Sequence, residues 1–252
     1  MRRLAGILAI AAVAGAAIAD ILPGDITIIG FRSDNDDAIS FVTWKAISAG
    51  TSVYFTDAGF FNDGTLRDSE DIMSWTAPVG GVTAGTVILI SCPAAASSAD
   101  VGTTTGNLPG LSTSGDQIFV GLTQFPDLTD TTKPGSSYSG TLIYGLDFNG
   151  TAGWDSDATG TSSSALPTAL DGQYLNFGLA TIDNGQYTGS RSAQTVDQFK
   201  ALIHNSANWT VEDAGTTTLS STDFAIIPEP GSAGLLTLAG LGFAFLRLRR
   251  RK

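Results

Sequence analysis

Thr51-Ser52-Val53-Tyr54-Phe55-Thr56-Asp57 is rich in β-branched and aromatic side chains and is closed by an aspartate, which reads as a short strand running into a turn. The same composition recurs on both sides of it. Upstream lie 26–31 and 39–45; downstream lie 72–76, 86–91, 117–122, 140–146, 174–180 and 217–226. Gly, Pro, Asn and Asp punctuate nearly every gap. Short strands at close intervals, without helices between them, predict a mainly β protein, an antiparallel β-sandwich rather than βαβ units.

One short helix interrupts this pattern. Thr195-Val196-Asp197-Gln198 has the form of a capping box, and Phe199, Leu202 and Ile203 follow on one face, so the helix is expected to dock on the sheet. His204, the single histidine, falls in its last turn, where a cation would complement the helix dipole. Two small, polar stretches, 93–106 and 155–164, read as surface loops that do not pack.

The two ends differ from this interior. Arg2 and Arg3 precede an apolar run over 4–18, and Ala17-Ile18-Ala19 supplies a small-x-small cleavage pattern. Residues 1–19 therefore read as a signal peptide, with Asp20 as the expected mature N-terminus and signal peptidase as the expected partner. At the other end Pro228-Glu229-Pro230 precedes an apolar stretch over 231–246, then Arg247, Arg249, Arg250, Arg251 and Lys252. As a helix that stretch would rise roughly 24 Å against a hydrocarbon core of about 30 Å. Such a span is short, but local thinning and arginine snorkelling can accommodate it. The basic cluster would stay cytoplasmic and leave the region 20–227 outside.

Pro-Glu-Pro, one short apolar helix and an arginine-rich end, in that order, resemble the PEP-CTERM sorting signal of Gram-negative bacteria. The resemblance covers residues 228–252 and implies recognition of Pro228, Glu229 and Pro230 by an exosortase-type membrane protease, with 247–252 as the stop signal. It further implies a transient stay in the inner membrane, cleavage near the motif, and delivery to the envelope surface or an exopolysaccharide-containing matrix. A second resemblance spans most of 20–227. Thr51 to Asp57, Trp75-Thr76-Ala77-Pro78, Ala84-Gly85-Thr86, Gly115-Asp116-Gln117-Ile118, Ser164-Ala165-Leu166-Pro167 and Asn208-Trp209 look like a domain of bacterial secreted proteins related to the immunoglobulin-like lamin-tail sandwich. That likeness implies a fold and an adhesive or scaffolding role, and carries over no catalytic residues.

Residues 20–229 hold all twenty-four acidic residues and six basic ones, a net charge of −18. Phosphate would be repelled, so a nucleic-acid partner is not expected. Cys92 is the single cysteine, which leaves no intramolecular disulfide; after the apolar run 87–90 it reads as a small buried hydrophobe. One histidine and one cysteine cannot close a zinc site. The chain has no Gly-x-Ser-x-Gly elbow and no Walker loop, so no enzymatic activity is expected.

Calcium is the one cofactor the sequence suggests. Asp34-Asn35-Asp36-Asp37 and Asp155-Ser156-Asp157 gather hard oxygen donors, although neither loop has EF-hand length. The alternative for both is a solvated acidic turn. Three functions therefore stand open: a noncatalytic adhesive or structural domain first, then a carbohydrate-binding module stacking sugar on Trp154 or Trp75, then a secreted hydrolase using two carboxylates or His204 beside a serine.

Overall fold

The computed structural model describes residues 20–108, 110–129, 135–150, 153–178, 182–215 and 217–228. The expected signal helix and membrane helix lie outside the described residues. Among those described, no helix is long and apolar enough to cross a membrane. In chain order the elements are β1 Ile26–Arg32, β2 Asp37–Thr43, β3 Ser52–Thr56, β4 Thr65–Leu66, β5 Ile72–Thr76, β6 Val87–Cys92, β7 Ser98–Ala99, β8 Thr103–Gly106 and β9 Gln117–Gly121. There follow β10 Ser136–Ser137, β11 Leu142–Asp147, β12 Tyr174–Asn176, β13 Asn184–Tyr187, β14 Ser192–Gln194, α1 Val196–Ile203, β15 Trp209–Glu212 and β16 Ala225–Ile226.

The fold is mainly β and sandwich-like. One six-stranded sheet runs β15-β13-β1-β2-β6-β7, the other β12-β11-β9-β3-β5-β8. Their inner faces interleave aromatic side chains. Phe31 of the first sheet stacks on Phe148 just beyond β11 at 4.2 Å, and Phe41 meets Phe55 at 5.3 Å and Trp75 at 5.4 Å. Every residue of β2 is buried, because its outer face is covered as well as its inner one. Ser220 donates its N–H to Gln186 Oε1, which lays the segment around Leu219 over that outer face. A smaller apolar cluster, including Phe60, Leu66, Phe119, Phe125 and Leu142, covers part of the other sheet's outer face.

The capping box forms as the sequence predicts: Thr195 accepts the N–H of Gln198, and Gln198 Oε1 accepts the N–H of Thr195. The helix buries Phe199 and Ile203, with Phe199 stacked on Trp44 at 5.8 Å and edge-on to Phe224 at 4.9 Å.

Several expectations require correction. The sheets are not wholly antiparallel: β12 runs parallel to β11, and β14 parallel to β16. The first pair is made possible by the long connection between β11 and β12, which carries the chain back to the sheet's start. The stretch 93–106 packs after all. Its β7 extends the first sheet and its β8 the second, while Thr104 Oγ1 donates to Ser97 O at 2.8 Å. The stretch 155–164 also packs, burying Ala158 and Ser164. The expected strand over 217–226 shrinks to Ala225–Ile226, because Leu219 and Phe224 act as cover for neighbours rather than as ladder partners. The strand expected over 174–180 is Tyr174–Asn176, and 179–181 lie outside the described residues.

The two sheets share a common polarity. At one pole β1 begins beside the end of β2 and the start of β6, and β3 begins beside the end of β5. Both ends of the described chain lie there. Ile21 lines one surface hollow with Ala46, Ile47 and Ser48, and Phe224 donates its N–H to Gly85 O. The Lys45–Asp25 ion pair, 2.8 Å, belongs to this pole. The opposite pole holds the β1–β2 turn, the end of β3 and the starts of β9 and β13.

Gly185 in β13 faces the Phe31 ring so closely that a Cβ there would overlap it. Gly185→Ala is therefore expected to cost about 1–3 kcal/mol by overpacking. In urea unfolding of the full chain, adding Phe31→Leu should recover part of that loss. Strict additivity of the two substitutions would contradict this contact.

Candidate functional site: a buried carboxylate pole

The pole away from the ends of the described residues concentrates acidic side chains between and around the sheets. Asp37 opens β2, Asp57 follows β3, Glu70 and Asp71 precede β5, and Asp116 precedes β9. Asp37, Asp57 and Asp116 are all buried, at 7%, 2% and 3% exposure, so each needs a donor, a proton or a cation to offset lost hydration.

Two of the three have two backbone donors each. Asp37 Oδ2 accepts the N–H groups of Gly110 and Leu111 at 2.6 and 3.1 Å. Asp116 accepts the N–H of Ser112 on Oδ2 at 2.8 Å and that of Gln117 on Oδ1 at 2.9 Å. Together they pin the segment 110–116 over the end of the core. Asp57 has its own N–H as backbone donor, and its Oδ1 is buried without a hydrogen-bond partner.

Burial, then the negative charges of Asp116, Glu70 and Asp71, push the Asp57 carboxyl well above the usual range. Burial does the same to Asp116, against its two backbone donors. Glu70, half-buried, is raised to about 7 by burial, with Arg67 opposing and Asp71 reinforcing the shift. Gln117 Nε2 donates to the carbonyls of Asp57 and Thr161, which fixes the amide and leaves its buried Oε1 without a donor.

The calcium candidates from sequence reach this pole but do not converge. Asn35 adopts the left-handed conformation, φ 61°, turning β1 into β2. Asp34 Oδ2 then accepts Asn184 Nδ2 at 2.9 Å and Gly215 N–H at 3.2 Å, away from Asp37. Asp36 contributes its carbonyl to Arg32 Nε at 2.9 Å. Asp155 Oδ2 accepts Asn149 Nδ2 at 2.5 Å, and Asp157 Oδ1 accepts the N–H groups of Asn62 and Ala158. Among the described residues no three His, Cys, Asp or Glu side chains are grouped so as to hold a metal by themselves.

The other named residues are placed as follows. Ala17, Ala19, Glu229, Pro230, Arg247, Arg249, Arg250, Arg251 and Lys252 lie outside the described residues, and Pro228 is exposed. Trp75 is fully buried, its Nε1 donating to Val101 O at 2.6 Å, so it offers no sugar platform. Trp154 is half-buried between Phe119 and Tyr174. His204 stacks on Tyr144 at 5.8 Å. Burial, then Lys200, lowers its pKa, which disfavours the dipole-facing cation expected from sequence. Cys92 is buried 3.9 Å from Met73 Sδ, and burial followed by Asp37 pushes its thiol up to about 12.

Sequence reasoning missed two further carboxylates. Asp147, 1% exposed, accepts Asn149 N–H and Asn176 Nδ2, and burial raises it to about 7. Asp183, beside Asp34 and Asp213, is raised to about 6, burial being the leading cause. The signal available for both was position: each aspartate stands at the end of a strand.

Raised carboxyls bind protons in the fold that the unfolded chain has released by about pH 4. Their contribution is complete below that pH and is lost as pH rises through about 6 to 7, the folded values of Asp183, Glu70 and Asp147. The chelator-treated full chain should therefore melt at a higher temperature at pH 5.5 than at pH 8. Asp147→Asn should reduce the slope, and a Tm that rises across this interval would refute the assignment.

No family model, no curated protein and no solved structure matches the chain.

Proposed function

We propose that the chain is an exported, noncatalytic β domain that is displayed at the cell surface or in the extracellular matrix and acts in adhesion or scaffolding. Residues 1–19 serve as the leader and 228–252 as the sorting tail in this reading. The observation that carries it is the shared polarity of the two ends. Ile21 and Phe224 lie at one pole, and the carboxylate-rich pole is opposite. A domain held by its tail would turn that acidic pole outward. The burial of Cys92 and the stacking of His204 on Tyr144 support a role that does not use them chemically. Exosortase-type processing at Pro228-Glu229-Pro230 follows from the tail's resemblance, and signal peptidase would act after Ala19.

A carbohydrate-binding role is a second reading, with an observation of its own. The outer face of β3 and β5 carries a shallow groove of about 380 Å³, lined by Ser52, Tyr54, Ser74, Thr76, Thr105 and Gln124 among others. Hydroxyls, an amide and one aromatic ring without charge suit a neutral polysaccharide. This groove stands in place of Trp75, which is fully buried.

Fractionation of the native host with intact-mass analysis tests the first reading. A species running from Asp20 to between Pro228 and Pro230, recovered outside the inner membrane, is expected. An inner-membrane species still ending at Lys252 would overturn it. For the second reading, co-sedimentation with the host's insoluble exopolysaccharide should be reduced severalfold by Tyr54→Ala, and an unchanged bound fraction would dismiss the groove.

A further inference from the structure

We propose that the pole from which the chain leaves for its tail docks on a lipid surface, through Val79 at a loop tip and Leu22 and Ile227 at the same end. Docking presupposes the tail proposed above and adds how the domain sits while attached. Leu22, Val79 and Ile227 are the exposed large hydrophobic side chains among the described residues. Exposed apolar residues scattered singly need no explanation, but these three share one end of an acidic domain.

Their placement follows from the strand ends. Leu22 precedes β1, and the nearby Gly24 N–H reaches Ile143 O near the start of β11. Val79 stands in the connection from the end of β5 to the start of β6, where Gly81 N–H closes a turn onto Pro78 O at 2.8 Å. That connection is tied to both neighbours. Val82 pairs with Ile47, which lines a hollow with Ile21, and Gly85 O accepts the N–H of Phe224, three residues before Ile227. The segments 21–24, 46–53, 77–86 and 224–228 hold no charged residue, although the region 20–229 has a net charge of −18. Among the charged groups beside them, Asp25 pairs with Lys45, Asp223 accepts the Val87 N–H and lies near Arg191, and Asp20 stands at the rim of the hollow.

Area and tethering favour a bilayer over a second copy of the chain. Three side chains at separate loop tips offer far less than the roughly 1,200 Å² that a stable protein interface buries. Gly231, where the apolar stretch begins, is four residues beyond Ile227, and four residues span at most about 14 Å. A bilayer entered by 231–246 would therefore lie within reach of this pole, and so short a tether makes even weak insertion effective. Apolar side chains on uncharged loops gain by leaving water for the headgroup boundary. Docking would hold Pro228-Glu229-Pro230 at the membrane surface, and cleavage there would release the domain.

The full chain is reconstituted in vesicles of phosphatidylethanolamine and phosphatidylglycerol, with a nitroxide on Val79→Cys or, at the opposite pole, on Asp36→Cys. Both positions are exposed, and buried Cys92 makes the wild-type chain the unlabelled blank. Collisions with oxygen, which enters lipid, are compared with collisions with a water-soluble nickel complex. The oxygen-to-nickel ratio is expected to be severalfold higher at Val79 than at Asp36, and Leu22→Ser combined with Ile227→Ser should lower it. Equal, water-like ratios in a chain that stays with the vesicles through an alkaline carbonate wash would overturn the docking and leave the tail reading standing. Loss of the chain in that wash would overturn both. Spin–spin broadening between Val79 labels that vanishes on dilution with unlabelled chain would make a second copy the cover and overturn the lipid assignment.

Discussion

The pairing of β1 with β2 is the interaction on which the rest of the molecule depends. These two strands sit at the centre of the first sheet and are buried over almost their whole length. Such strands cannot stand alone in water: one face needs the second sheet, and the other needs the helix and the segment that leads to β16. Phe31 and Phe41 project from the pair into the interior and meet Phe148, Phe55 and Trp75. Trp44, just past β2, anchors the covering layer through Phe199 and Phe224 and donates from Nε1 to Thr27 Oγ1 at 2.7 Å. The sandwich and its cover are two consequences of one buried hairpin.

How far this could be read from the sequence follows from the same physics. Strands buried on both faces announce themselves as apolar runs, so β1 and β2 stand out, and the capping box of α1 is a local signal that needs no tertiary context. β13 gives no such signal. Asn184-Gly185-Gln186-Tyr187 is polar in composition yet wholly buried, because Gly185 yields space to Phe31 and the Gln186 amide is satisfied by Ile29 O and Tyr187 O. The stretch 93–106 is equally opaque. Small hydroxyl residues look like a loop until two sheet edges offer them ladder partners.

The carboxylate pole was harder still to see. Asp57, Glu70 and Asp116 are far apart in sequence, and each reads singly as a turn residue. What distinguishes them is the depth to which strand ends carry them. The more conspicuous run, Asp34 to Asp37, proved to be a hairpin turn whose side chains serve different neighbours.

The setting of Cys92 has a consequence for how the chain behaves among its copies. A thiol enclosed against Met73, with its pKa near 12, holds almost no thiolate at neutral pH, and the thiolate is the nucleophile in disulfide exchange. In an oxidising compartment the folded chain therefore resists covalent dimerisation and mixed-disulfide capture. Its single sulfhydryl becomes available only when the fold opens, so labelling by a thiol reagent reports unfolding.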